Sequence, residues 1–196
     1  MYRLVLDTAT DYYYLALIND NEILDEAYEK GSSNHSETLM PRLEEMLKEN
    51  KVSLKDVDEV YTGIGPGSYT GERIAVVIAK MLGIMNKCKV YSFSTLSLIA
   101  SSIASESFPL IDCRRGNAYI SHFTYSNGVL TRLMEDEVLS VDEFFKDKDK
   151  TLIITSGKPD PIALINSKEV KEEKDVNKLT PNYLQLVEAE RKRRGL

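Results

Sequence analysis

Three short stretches carry residue types from which a reaction could be built. Asp7-Thr8-Ala9-Thr10 and Asp112-Cys113-Arg114 each place a carboxylate directly after a strand-like run. In such a turn an aspartate can orient a metal-bound phosphate while neighbouring backbone amides approach it. That approach depends on glycine, which takes positive φ freely and leaves room for the phosphate. The first turn has Ala9 and no glycine, the second has none, and Thr155-Ser156-Gly157-Lys158 offers only one. A small ATP-dependent, kinase-like phosphotransferase using Asp7 or Asp112 is therefore the alternative. The preferred reading is that both aspartates accept hydrogen bonds from their own turns. The third stretch, Gly63-Ile64-Gly65-Pro66-Gly67-Ser68-Tyr69-Thr70-Gly71-Glu72-Arg73, is the richest. It lacks the Lys-Ser or Lys-Thr pair of a P-loop, and the dinucleotide spacing fails at Thr70. Its glycine amides can still form an anion nest, with Ser68 or Thr70 capping the helix behind. Asp7, Thr10, Gly65, Gly67, Ser68 and Thr70 are thus the candidates for a weak ATP, ADP or anion contact. A tight strand-to-helix turn is the equal alternative.

Other chemistry has less footing. A metallopeptidase wants two histidines a helical turn apart, but the chain has only His35 and His122, and Leu39 follows His35 by one turn. No metal site and no required cofactor is expected. Cys113 and His122 lack an orienting partner for nucleophilic catalysis and read as strand packing. Cys88 and Cys113 form no CxxC pair, which suits a reduced, cytoplasmic setting. With 25 Lys and Arg against 31 Asp and Glu, the net charge of −6 repels phosphate backbones on average. Asp7 interrupts the N-terminus before a signal-type apolar region forms, and no apolar run reaches bilayer length, so no membrane association is expected.

The elements that must position these residues follow from pattern. The 196 residues suit one domain or two small ones, and 42% hydrophobic content supports a core. Tyr2 to Leu6, Tyr12 to Ile18 and Ile23 to Tyr28 read as a β-meander. A helix over Ser36 to Asn50 is capped by Ser36, and Val60 to Ile64 is a strand. A helix over Arg73 to Met85, a strand over Val90 to Phe93 and a helix over Ser94 to Ser105 follow. This β-β-β-α-β-α-β-α order resembles the ribonuclease H-like half of the actin, hexokinase and heat-shock ATPase superfamily. From Phe108 the pattern restarts. Strands over Phe108 to Asp112, Ala118 to Tyr125 and Val129 to Leu139 precede a helix over Val141 to Phe145 and a strand over Leu152 to Thr155, with Asn127-Gly128 as a hairpin turn. The fold expected is α/β with two ribonuclease H-like halves, the second abbreviated: residues 1–100, then 101–179. Lys168 to Lys178 reads as a solvated surface segment. Thr180-Pro181 starts a C-terminal helix over 180–194 that packs back on the first half. Its Arg191-Lys192-Arg193-Arg194 end complements the helix dipole more readily than it binds RNA.

The second helix is decisive. From Ile74 to Met85 its only charge is Lys80. One stripe, Ile74, Val77, Ile78, Met81 and Met85, suffices to cover a sheet. The other face, Ala75, Val76, Ala79, Leu82 and Gly83, is small and apolar rather than polar. A helix apolar all round is buried all round, so this face, with Leu39, Leu43 and Leu47 of the first helix, is the expected partner surface. The competing reading is that the first and C-terminal helices cover it within the monomer.

At this point blocks along nearly the whole chain resemble the TsaB (YeaZ) family. They are His35-Ser36-Glu37, Gly65 to Gly71 with Arg73-Ile74, Asp112 to Gly116 with Tyr119, and Pro181-Asn182-Tyr183-Leu184. The resemblance implies a catalytically inactive paralogue of TsaD that works with TsaD and TsaE. These transfer a threonylcarbamoyl group to N6 of the adenosine beside the tRNA anticodon, so tRNA is met indirectly. It further implies that the first two helices pack on the equivalent pair of TsaD. A homodimer through the same apolar surface when the chain is alone is a further alternative. Glu72 stands where the family commonly has an apolar residue, Cys113 where it has Ala, and the second half is short.

Overall fold

A computed structural model describes residues 1–31 and 35–184. Strands β1 (Tyr2–Asp7), β2 (Tyr12–Asn19) and β3 (Glu22–Lys30) form the expected antiparallel meander. Helix α1 (His35–Glu49) follows, so Ser36 lies inside the helix rather than at its cap. Then come β4 (Val57–Gly63), α2 (Tyr69–Asn86), β5 (Lys89–Phe93) and α3 (Thr95–Ala100), the last shorter than its pattern suggested. Ser68 caps α2 by accepting a hydrogen bond from the Gly71 amide, and Lys87 closes it in the left-handed conformation at φ 56°.

The second half runs β6 (Glu106–Asp112), β7 (Asn117–Ser126), β8 (Val129–Ser140), α4 (Val141–Phe144), β9 (Ile153–Ile154) and α5 (Pro161–Ile165). Asn127 and Gly128 take φ 52° and 76°, the pair of positive values that a two-residue hairpin turn needs. Strand β10 (Lys171–Glu172) ends the regular sheet.

The two sheets show the same wiring. The first has the order β10-β5-β4-β1-β2-β3 and the second β8-β7-β6-β9. In each, a three-strand antiparallel meander is extended by a fourth strand lying parallel to the first, β4 on β1 and β9 on β6. The second half is the abbreviated copy of an α/β ribonuclease H-like fold. The boundary differs from expectation at its far end. The segment over Lys168 to Lys178 is largely exposed, as expected, but it crosses to the first half: Lys171–Glu172 pair antiparallel with β5, and Val176 and Leu179 join the first core. Residues 181–184 are not helical, and the rest of the expected C-terminal helix lies outside the described residues.

The core reverses the expected faces of α2. Ala75, Val76, Ala79 and Leu82 are buried against the first sheet, and a Cβ on Gly83 would stand 2.6 Å from Val90. Leu39, Leu43 and Leu47 fill the same core. Seven of these eight residues are buried in the chain's own core, and Gly83 is half-buried beside Val90. The reason is steric: small side chains let a helix axis approach the sheet closely, so the small face packs inward. Of the stripe expected to face the sheet, Ile78 is buried and Ile74 packs against the same core, but the other large residues point to water, with Val77 52%, Met81 53%, Ile84 54% and Met85 72% exposed.

Candidate functional site

A cleft of about 920 Å³ opens between the β1–β2 turn and the start of α2 on one side and the β6–β7 turn on the other. The two sequence stretches that were chemistry candidates in the first half do meet there, but they are spent on each other. Asp7 is 2% exposed; its Oδ1 accepts from the Ala9 amide at 2.8 Å and its Oδ2 from the Thr95 hydroxyl at 2.7 Å. Thr8 Oγ1 donates to the Gly71 carbonyl and accepts from the Ala75 amide. The Ser68 amide donates to the Ala9 carbonyl at 2.7 Å. The glycine block therefore lies backbone to backbone on the β1–β2 turn. A Cβ on Gly67 would stand 2.1 Å from Ala9 O, and one on Gly71 2.0 Å from Thr8 O. Thr8 and Ala9 are buried in the turn, so the Thr8 carbonyl has no free space to retreat into, and Gly71→Ala is expected to destabilise the protein by about 3 kcal/mol, measured as a lower urea midpoint with an unchanged slope.

Of the six anion candidates, Thr10, Gly67 and Ser68 line the cleft. Asp7 is sealed behind them, Gly65 turns at φ 92° against Glu72, and Thr70 is exposed outside the lining. Thr10 closes its own turn, donating to the Tyr12 carbonyl at 2.8 Å.

Glu72 was not among the candidates, yet it is the most perturbed acid here. It is 2% exposed, its Oε2 has no hydrogen-bond partner, and its carboxyl faces the Gly67 amide. Burial first, and then the nearby Asp7 charge, push its pKa up to about 7, against the lowering effect of the Gly67 hydrogen bond. The amide that would have met a phosphate faces the protein's own carboxyl.

The opposite wall is the β6–β7 turn. Asp112 Oδ1 accepts from the Arg114 amide at 2.8 Å, so Asp112, like Asp7, pins its own turn. Arg114, Arg115 and Gly116 all take positive φ, at 74°, 57° and 74°. Two consecutive non-glycine residues in this region carry strain that stands out from ordinary turns. Behind them Tyr119 is buried, and burial, then Cys113 and Glu72, raise its hydroxyl pKa.

The rim holds a stack that the sequence reading missed. Arg73 lies 4.0 Å over the Tyr69 ring and donates to the Tyr183 hydroxyl at 2.8 Å, and the two tyrosine rings are 5.0 Å apart. The Asn182 amide, donating to the Ile64 carbonyl at 2.7 Å, pins this end of the chain to the glycine block. Tyr69 and Arg73 sit four apart on one helix face, which was a readable signal; Tyr183 was not, since it arrives from 110 residues away. A second hollow of about 450 Å³ surrounds Arg132, whose guanidinium is held by Asp136 and by Glu169 at 2.6 Å. It is a structural ion cluster. Among the described residues no group of three potential metal ligands exists, and no helix is long and apolar enough to cross a membrane.

The family model of TsaD, tRNA N6-adenosine threonylcarbamoyltransferase, matches residues 27–161. The tRNA threonylcarbamoyladenosine biosynthesis protein TsaB of Bacillus subtilis is 29% identical to the chain over 96% of both. TsaB of Escherichia coli is 27% identical over 76% of this chain and 66% of its own. The solved structure of YeaZ from Pseudomonas aeruginosa superposes with a TM-score of 0.78 at 23% identity, covering 93% of this chain and 99% of that one. The shared fold and the similarity to TsaB agree with the family resemblance read from the sequence blocks.

Proposed function

Since the chain belongs to the TsaD family of tRNA N6-adenosine threonylcarbamoyltransferases, we propose that it is a non-catalytic subunit of tRNA threonylcarbamoyladenosine biosynthesis that binds and stabilises TsaD, working with TsaE. The observation that carries this reading is the apolar stripe Val77, Met81, Ile84 and Met85 on α2. These residues recur at spacings of four, three and one, along one exposed helix face, where a second helix can seat its own ridge. Two of them are methionines, whose flexible thioethers adapt to a facing surface. Met40 of α1, 46% exposed, adds to the apolar surface of the helical layer. Leaving so many large apolar groups in water is costly, and a partner that covers them recovers about 25 cal/mol per Å².

The non-catalytic part of the reading is supported by the fate of the carboxylates. Asp7 is buried with both oxygens engaged, the Ser68 amide donates to the Ala9 carbonyl and the Gly67 amide faces Glu72. A phosphotransferase would need that carboxylate and those amides to be available. Co-expression with TsaD, followed by gel filtration with light scattering, tests the proposal: a heterodimer that persists through dilution is expected. Two separate species, or a homodimer that TsaD does not displace, would overturn it.

A further inference from the structure

The cleft has a mixture of side chains that the scaffold role leaves unused. Arg114 is exposed, held at φ 74°, and makes no ion pair with another described residue. Its turn is fastened at both ends: Cys113 N donates to Asn117 O at 3.0 Å, Asn117 N to Arg114 O at 3.1 Å, and Val141 N to Gly116 O at 2.9 Å. A strained turn so firmly tied keeps Arg114 at the cleft mouth. Across the opening stands the Tyr69–Arg73–Tyr183 stack, each tyrosine 38% exposed. A guanidinium lying on a ring presents a flat, partly cationic surface, of the kind on which single-stranded bases settle.

We propose that this cleft holds one unpaired nucleotide of an RNA loop, its phosphodiester on Arg114 and its base against the Tyr69–Arg73–Tyr183 stack. The inference rests on the reading of the chain as a subunit of a tRNA-modifying assembly. The donor inventory separates an RNA loop from a free nucleoside triphosphate. A triphosphate needs several converging amides, but the Ser68 amide is donated to Ala9 O and the Gly67 amide faces Glu72. Asp11 and Asp112 also line the cleft and repel several negative charges concentrated at one point, as in a triphosphate. A phosphodiester carries a single charge that one guanidinium can match, and the same carboxylates can accept hydrogen bonds from the exocyclic amine of a base. With a net charge of −6 the chain has no long-range attraction for RNA, so recognition must come from these short-range contacts.

The test is fluorescence anisotropy of the full chain, without TsaD, against a labelled RNA hairpin whose loop contains unpaired adenosine. A fully paired duplex and ATP serve as competitors. Binding to the hairpin in preference to the duplex is expected. Arg114→Gly should weaken it at least tenfold while leaving the melting temperature unchanged or raised, because glycine takes φ 74° without strain. Arg114→Lys should recover part of the loss, and Tyr183→Ala should weaken binding severalfold. No binding by the parent protein, equal binding of duplex and loop, displacement by ATP at equimolar concentration with the RNA, or an unchanged Arg114→Gly variant would each overturn the proposal. None of these outcomes bears on the heterodimer with TsaD, which light scattering reads separately.

Discussion

Met81→Glu is expected to leave the isolated protein folded and to abolish its recovery with TsaD, whereas Ala79→Glu, two residues away, is expected to prevent folding. Met81 is 53% exposed on the outer face of α2, and a glutamate there meets water in the free chain. In a complex the same carboxylate would be taken out of water without a partner, a penalty of several kcal/mol. At the centre of an interface of about 800 Å² per partner, a loss of about 3 kcal/mol or more corresponds to a weakening of over a hundredfold. Ala79 is fully buried on the sheet in the core that includes Leu4, Val60 and Leu82, so a charge there has nowhere to go. Circular dichroism and co-purification separate the two outcomes. If Met81→Glu still elutes with TsaD as a tight complex, the outer stripe of α2 is not the docking face. If Ala79→Glu is folded and merely fails to bind, the inward packing of the small face is wrong.

The contrast between those two residues shows what the sequence could and could not convey. Periodicity located α2 well, because its apolar run and the Ser68 cap are local signals. It could not say which way the helix turned, since a helix apolar on every side has no polar face to orient it. Volume decided: Ala75, Ala79 and Gly83 allow close approach to β4 and β5, and Val77, Met81, Ile84 and Met85 are left outside. The meander and the Asn127-Gly128 hairpin were legible for the same local reason. Strand β10 was not, because two charged residues pairing with β5 owe their conformation to a neighbour 79 to 81 positions distant, as Lys171 and Glu172 do opposite Ser92 and Tyr91. The cleft was half legible. The Asp7 and Asp112 turns announced themselves and proved to be self-bonded, as their preferred reading held. The role of the glycines as spacers against the Ala9 and Thr8 carbonyls depends on a contact that no single stretch contains.

Glu72→Gln is expected to flatten the pH dependence of stability and to raise the melting temperature most at alkaline pH. Folding raises the pKa of this carboxyl from 4.5 to about 7, so the native state holds the proton more tightly than the unfolded chain does. Between those two values the folded form carries the extra proton, and stability therefore falls as pH rises through that window. Below about 4.5 both states are protonated and the penalty is absent; above about 7 both are ionised and the penalty is complete. Only the Gly67 amide relieves it in part; of the other groups around the carboxyl, Asp7 is an acid that adds to the penalty and Tyr119 is a neutral phenol. At 1.36 kcal/mol per pH unit the full penalty is on the order of 3 kcal/mol, which solvent screening reduces to about 2 kcal/mol. In a chain of this size that corresponds to roughly 4 to 8 °C. Glutamine keeps the side-chain length and an oxygen for the Gly67 amide, and it removes the titrating charge. Thermal scans at pH 5 and pH 8 should therefore give similar melting temperatures for the two proteins at the lower pH and a higher one for Glu72→Gln at the upper pH. Parallel curves over that range would mean that the Glu72 carboxylate is solvated in the native protein, and the cleft floor would then be wet rather than closed.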